Sequence, residues 1–262
     1  MNTLPPFEVF GSALVSLFLA TARLGTALMV VPFFGGPAGI ARRGFVIVSM
    51  GIALPLLMPQ ALLIPQSLVE TTALCLKEVL LGLLLAIPAA VLFWAIASAG
   101  ELIDLQRGAT AASVFNPLFG AVTSPTANLL MRFSGAIFFV TGGFLAFLSA
   151  VLTSFEIYPI NQLLPAFAPS AGSSFALLLG EYFTMSVLFG APFLIVFLLI
   201  DVGLGLMNRF VPQLNIFFFS MPVKSGATFF LLIFYTTTLV WIIDSNIFSQ
   251  ESLLIKLRSF FQ

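Results

Sequence analysis

Long apolar runs separated by short polar breaks dominate the chain, and their lengths predict membrane helices. The first run extends from about Val9 to Phe34 and is interrupted only by Arg23. A central arginine costs about 2.5–3.5 kcal/mol on insertion scales and each Leu, Val or Phe returns about 0.3–0.6, so the run still inserts. Arg23 is expected to face protein; the alternative is a side chain that snorkels to a headgroup. Pro32, Gly35, Gly36, Pro37 and Gly39 end this helix in a turn. The second run, Gly44 to about Leu57, is short for a span and closes on Pro55, Pro59 and Pro65. The third, Val79 to Gly100, carries Gly82, Ala86 and Ala90 at four-residue spacing, a helix-packing stripe, with Pro88 as a kink between them. Phe133 to Phe155 reads as a fourth span, and Tyr182 to Ile200 as a fifth with a second internal proline, Pro192. A sixth runs from about Gly226 to Ile243, followed by an amphipathic tail in which Leu253, Leu254, Leu257, Phe260 and Phe261 alternate with Lys256 and Arg258.

Composition sharpens this into an integral membrane protein. Charged residues are 8% of the chain and hydrophobic residues 60%, against roughly 25% charged in a soluble domain. Ten basic and ten acidic side chains cancel, so no global field draws in nucleic acid. Histidine is absent and Cys75 is the single cysteine, which removes an intrachain disulfide, the usual His/Cys metal sets and a Ser-His-Asp triad. No phosphate-cradling loop or cofactor motif is present, and the chain is expected not to be an enzyme. The opening MNTLPPFEVF lacks a basic n-region, so the first helix is expected to stay in the mature protein.

Two polar breaks stand out against this background. Ala99–Pro117 reads AGELIDLQRGATAASVFNP. Glu101, Asp104 and Arg107 are three apart, so a continuing helix sets them near one face and lets Asp104 pair with Arg107. After Gly108 the residues are small, hydroxylated and punctuated by Pro117, Gly120 and Pro125, so the chain should leave the helix. Irregular backbone at membrane depth is tolerated where it lines or blocks a cavity; a surface loop capping a hairpin is the other reading. The second break, GLGLMNRFVPQLNIFFFSMPVKSG, follows Asp201 and holds Asn208, Arg209, Pro212, Gln213, Asn215, Pro222 and Lys224. Asp201 and Arg209 are expected to form a charge pair there, with Gln213 and Asn215 bonding to neighbouring subunits; solvation of a helix end is the plainer alternative.

These segments carry a resemblance. GELIDLQRGATAASVFNP followed by TSPTANLL, with NRFVPQLNIFFFSMPVKSG, resembles the FliR/SctT family of type III secretion export-apparatus membrane proteins. Arg23 with Pro32, Lys77-Glu78, Asp104-x-Gln106-Arg107-Gly108, Gly142-Gly143 and Asn208-Arg209-Phe210-x-Pro212-Gln213-Leu214-Asn215 recur in the family's order. The Asp-x-Gln-Arg-Gly form and the Met221-Pro222-Val223-Lys224-Ser225 ending favour the injectisome branch over the flagellar one.

The resemblance implies an all-α membrane protein of kinked helical hairpins, assembled with partner subunits around a central export channel in the bacterial inner membrane. Residues 1–175 would correspond to an SctR/FliP-like part and 176–262 to an SctS/FliQ-like hairpin with its tail. The implied partners are SctR/FliP-type, SctS/FliQ-type and SctU/FlhB-type subunits, inner-rod or needle components, membrane lipid, and unfolded proteins in transit. Gly108, Ala109, Thr110, Ala111, Ala112, Ser113, Val114, Phe115 and Asn116 would form the family's plug. Glu101, Asp104, Gln106 and Arg107 would anchor it. Apolar runs would then be covered partly by protein instead of lipid. A self-contained solute transporter or channel is the competing function, since broken helices with intramembrane charges are also its signature, and a purely structural scaffold is a third.

Overall fold

The computed structural model describes residues 6–32, 44, 46–49, 68–109, 124–160, 162, 168–213, 215–245 and 255. Among them the regular elements are helices: α1 Pro6–Val30, α2 Leu68–Gln106, α3 Pro125–Val140, α4 Gly143–Ile157, α5 Ala171–Asn208 and α6 Ile216–Ser245. Helices α2, α5 and most of α6 are each long and apolar enough to cross a membrane, and α3 with α4 is a further candidate if the pair counts as one span. The second apolar run, apart from Gly44 and Val46–Ser49, and the tail, apart from Ile255, lie outside the described residues.

The helices depart from the sequence expectation at their ends. The run expected to stop at Gly100 continues to Gln106, and the fifth run extends from Ala171 to Asn208. Mean hydropathy underestimates both, because the extra turns carry the charges. The expected fourth span divides: Gly142 has φ +82, a left-handed conformation that suits glycine and stops α3 at Val140. The second polar break is also shorter than expected. Pro222 and Lys224 lie inside α6, which begins at Ile216, and the non-helical stretch lies between Asn208 and Ile216.

The chain folds into two compact units whose segments interleave. The first draws on residues up to Ala90 and on Gly142–Leu178, the second on Val91–Thr141 and Leu179–Ile247. In the first unit, Gly82 of α2 sits against the backbone of Arg23 and the side chain of Thr26 on α1, where a Cβ has no room. Ala86, Pro88 and Ala90 are buried on the same helix. In the second unit, Ile103 of α2 packs with Phe193 and Phe197 of α5, flanked by Ile200, Leu231, Leu232 and Tyr235. The Phe193 and Tyr235 rings meet edge to face with centroids 5.2 Å apart, and Phe93 and Phe138 do the same at 5.2 Å. Helix α3 packs on α6, and Gly100 of α2 lies directly against the backbone of Ala127 in α3.

Candidate functional site: two buried charge clusters

Each unit holds ionic side chains, and in both they gather around a helix end, the C-terminus of α4 in the first and the N-terminus of α3 in the second. This placement follows from the peptide dipoles, which leave a partial positive charge at a helix N-terminus and a partial negative charge at its C-terminus.

In the first unit Arg23 of α1 reaches Glu78 of α2 with two donors, Nε to Oε2 at 2.6 Å and Nη2 to Oε1 at 3.0 Å. This bidentate geometry suits the planar guanidinium. Nη1 donates to Ser154 Oγ at 3.1 Å and Nη2 also to the Tyr158 carbonyl at 2.8 Å. The guanidinium carbon lies 4.0 Å from the centroid of Phe155. Lys77 Nζ pairs with Glu78 Oε1 at 2.6 Å and donates to the carbonyls of Pro159, Ile160 and Gln162 at 2.9, 3.0 and 3.1 Å. Two cations thus share one anion, and the excess positive charge rests on carbonyls at and just beyond the C-terminal end of α4. Arg23 and Glu78 are fully buried and Lys77 nearly so.

In the second unit the centre is Asp104, fully buried near the end of α2. Its Oδ1 accepts from Arg107 Nε at 2.7 Å and from Thr126 Oγ1 at 2.6 Å. Its Oδ2 accepts from the Thr126 backbone N–H at 2.8 Å and from Ser124 Oγ at 2.5 Å. The carboxylate therefore occupies the N-terminus of α3, where free N–H groups and the dipole favour an anion. Ser124 is the N-cap, its Oγ facing Ala127 N–H at 3.3 Å, and Pro125 at the first position needs no donor there.

The other side of Asp104 is the end of α2. Gly108 has φ +76; its N–H donates to Leu105 O at 3.2 Å, and Ala109 N–H donates to Asp104 O at 3.0 Å. This paired pattern with a left-handed glycine is a Schellman termination, and it fixes the direction in which the chain leaves. Lys224 of α6 completes it, donating to the Gln106 carbonyl at 3.2 Å and to Asp201 at 2.7 Å. A Cβ on Gly108 would press on the Met221 side chain at 3.0 Å. Ala109, just past the end of α2, and Ser124, the N-cap of α3, are both bonded to Asp104.

The sequence-expected site residues divide accordingly. Asp104 and Arg107 pair, whereas Glu101 is exposed and forms no ion pair with them among the described residues. The Gln106 side chain is exposed and contributes through its carbonyl. Gly108 and Ala109 are placed; Thr110, Ala111, Ala112, Ser113, Val114, Phe115 and Asn116 lie outside the described residues. The expected pairing of Asp201 with Arg209 is replaced by one with Lys224: Arg209 falls past the last turn of α5 and is exposed, while Lys224 lies on a buried face of α6. Asn208, Pro212 and Gln213 are exposed, and Asn215 stands at the start of α6 with Oδ1 facing Phe218 N–H at 3.5 Å. Pro192 is exposed within α5.

Sequence reasoning missed Ser124 and Thr126 as the receiving end of Asp104, and Ser154 with the carbonyls after α4 as partners of Arg23 and Lys77. The Ser-Pro-Thr signal of a helix start at 124–126 was available for the former. The latter are backbone groups, which no side-chain pattern reveals.

A cleft of about 510 Å³ opens beside Asp104, lined by Ser98, Glu101, Leu102, Asp104, Leu105 and Ser124 and by Tyr182, Phe183, Ser186 and Val187 of α5. Ser98 Oγ and Tyr182 Oη are 2.7 Å apart at one side of it. Among the described residues no group of three or more His, Cys, Asp or Glu is placed to hold a metal ion.

Long apolar helices in which charge is scarce and its buried part is gathered into two paired clusters define an all-α, multi-pass integral membrane protein. Residues 14–249 match the family described as bacterial export proteins, family 1, and the chain belongs to that family, a placement that makes it a protein of the bacterial inner membrane. It is 40% identical over 159 residues to the Yop proteins translocation protein T of Yersinia pestis, a match covering 61% of each chain. It is 30% identical over 226 residues to the surface presentation of antigens protein SpaR of Salmonella typhimurium, covering 84% of this chain and 82% of that one. The flagellar biosynthetic protein FliR of Bacillus subtilis matches at 26% over 246 residues, 91% of this chain and 93% of that one. Identity is thus higher to the translocation and antigen-presentation proteins than to the flagellar one, in line with the injectisome resemblance.

Proposed function

We propose that the chain is a subunit of a type III secretion export gate, occupying a single position in the complex through which unfolded proteins cross the inner membrane. The observation that carries this reading is the family match over nearly the whole chain. In this reading the chain assembles with SctR/FliP-type, SctS/FliQ-type and SctU/FlhB-type subunits, residues 1–175 standing in for the first type and 176–262 for the second. Its substrates are unfolded secreted proteins in transit, and inner-rod or needle components are among its partners.

The segment from Gly108 to Asn116 serves as the plug of the closed channel. What supports this is the way its root is held. Asp104 binds the exit of α2 through Arg107 and the entry of α3 through Ser124 and Thr126, so the intervening chain starts and finishes at one carboxylate. Both points at which the segment joins its helices are thereby fixed, as a plug's root requires, and the sequence of the segment is rich in small residues. Asp104 and Arg107 act as positioning residues for it.

The test is deletion of Gly108–Ser113 in the assembled complex. The expected result is a complex that still co-purifies with its neighbouring membrane subunits and leaks small ions across the inner membrane. A deletion that assembles and stays ion-tight rejects the plug. Failure of the intact chain to co-purify with any such subunit rejects the export-gate reading itself.

A further inference from the structure

The acid of the cleft points to a partner. Glu101 lies on the exposed side of α2, three residues before the buried Asp104, and has no ion pair or hydrogen bond among the described residues. The other polar groups around it are already committed. Asp104 is saturated by Arg107, Ser124 and Thr126, Ser98 and Tyr182 bond to each other, and Ser186 donates to the Tyr182 carbonyl at 2.7 Å. What remains facing outward is a carboxylate beside apolar walls: Leu105 at 61% exposure, Phe183 at 63% and Val187 at 56%.

The apolar surface continues along α5 through Leu188, Ile195, Leu198 and Leu199, all largely exposed. A free carboxylate in such a surface is poorly solvated by lipid, and a small polar solute would find little beside it except the hydroxyl proton left over from the Ser98–Tyr182 pair. A cation carried on an apolar rod answers both parts of the surface at once. We infer that the cleft receives a membrane helix of a partner subunit, its apolar side chains against Leu105, Phe183 and Val187 and a single Lys or Arg paired with Glu101. This rests on the export-gate reading for the existence of partners, and goes beyond it in naming the surface and the charge the partner must carry. It also separates Glu101 from the plug anchor: Asp104 faces inward to this chain and Glu101 outward to the next.

The test places a photo-crosslinking amino acid at Val187 in the full chain, co-expressed with its neighbouring membrane subunits and irradiated in native membranes. Adduct sites are then mapped by mass spectrometry. The expected adduct lies on a membrane helix of another subunit within one turn of a Lys or Arg. Its yield should fall several-fold in Glu101→Gln, which keeps shape without charge, and at least tenfold in Glu101→Lys. Exchanging the mapped basic residue for Glu should restore it in the Glu101→Lys background.

Adducts with lipid only, a mapped helix without a basic residue nearby, yields indifferent to Glu101→Gln, or a charge exchange without recovery would each overturn the inference. Co-purification of the subunits is followed in parallel. If they assemble with the intact chain while Val187 meets only lipid, the docking surface fails and the export-gate reading stands; if they do not assemble at all, that reading fails first.

Discussion

The two charge clusters use the same elementary device, an ion at a helix end, and differ in how completely they are closed. In the first unit Arg23 and Glu78 have no exposed surface and Lys77 has 3%. Every donor on Lys77 has an acceptor, and the guanidinium is spread over a carboxylate, a hydroxyl and a carbonyl. In the second unit Asp104 is as deeply buried, but its surroundings open by steps: Arg107 is at the margin, the Asp201 side chain is 47% exposed, and Glu101 faces the cleft. A closed cluster has one low-energy arrangement, because any displacement strands a charge. An open one can exchange partners, because water or another chain can take over a bond as it breaks. The first unit is therefore built as a fixed joint and the second as an adjustable one.

Four substitutions test that contrast, in decreasing order of effect. Glu78→Ala leaves Arg23 and Lys77 as adjacent buried cations and should cost about 3–5 kcal/mol, seen as loss of folded chain on denaturant titration in mild detergent. A small effect would show that the first cluster is not closed. Asp104→Ala removes the shared acceptor of Arg107, Ser124 and Thr126 and should cost about 3 kcal/mol, the low end of the range for a broken buried pair, because it strands one cation, which keeps 8% exposure, where Glu78→Ala strands two. It should also raise ion leakage, which Glu78→Ala in surviving complexes should not; equal leakage from both would break the division of roles.

Gly100→Val pushes α2 off the backbone of Ala127 and should cost about 1–3 kcal/mol, with leakage rising because Thr126 moves away from Asp104. Asp201→Asn, acting on a half-exposed pair, should change stability by less than about 1 kcal/mol. Any effect it does have should shrink in high salt; a change as large as that at Asp104 would mean the second unit is sealed too.

Much of this arrangement could be read from the chain. Helix positions followed from apolar runs, and the Asp104–Arg107 pair followed from three-residue spacing on a helix that continued past Gly100. The small residues Gly82, Ala86 and Ala90 marked a face that the structure buries. What could not be read has a common cause. The sequence groups Lys224 with Pro222 in one polar break, whereas Pro222 lies inside α6 and Lys224 serves the end of a different helix. Its nearest acceptor there, the Gln106 carbonyl, is a backbone atom that every residue carries. Gly142 divided a span that hydropathy joined, since hydropathy does not register a positive φ. Local periodicity gives elements and i,i+3 pairs; long-range pairing and backbone acceptors depend on packing that a single sequence does not display.

Helix length carries a last consequence. At about 1.5 Å per residue, the 39 residues of α2 and the 38 of α5 have contour lengths of roughly 57–59 Å. The hydrocarbon core is about 30 Å thick, and helix tilts rarely exceed about 40°. Even at that tilt a straight helix of this length would overshoot the core by about 14 Å. For α5 the overhang falls on the end turns, which hold Ser173, Ser174, Glu181, Asp201 and Asn208, so the helix places its polar residues where the acyl chains no longer reach and its uninterrupted apolar stretch where they do.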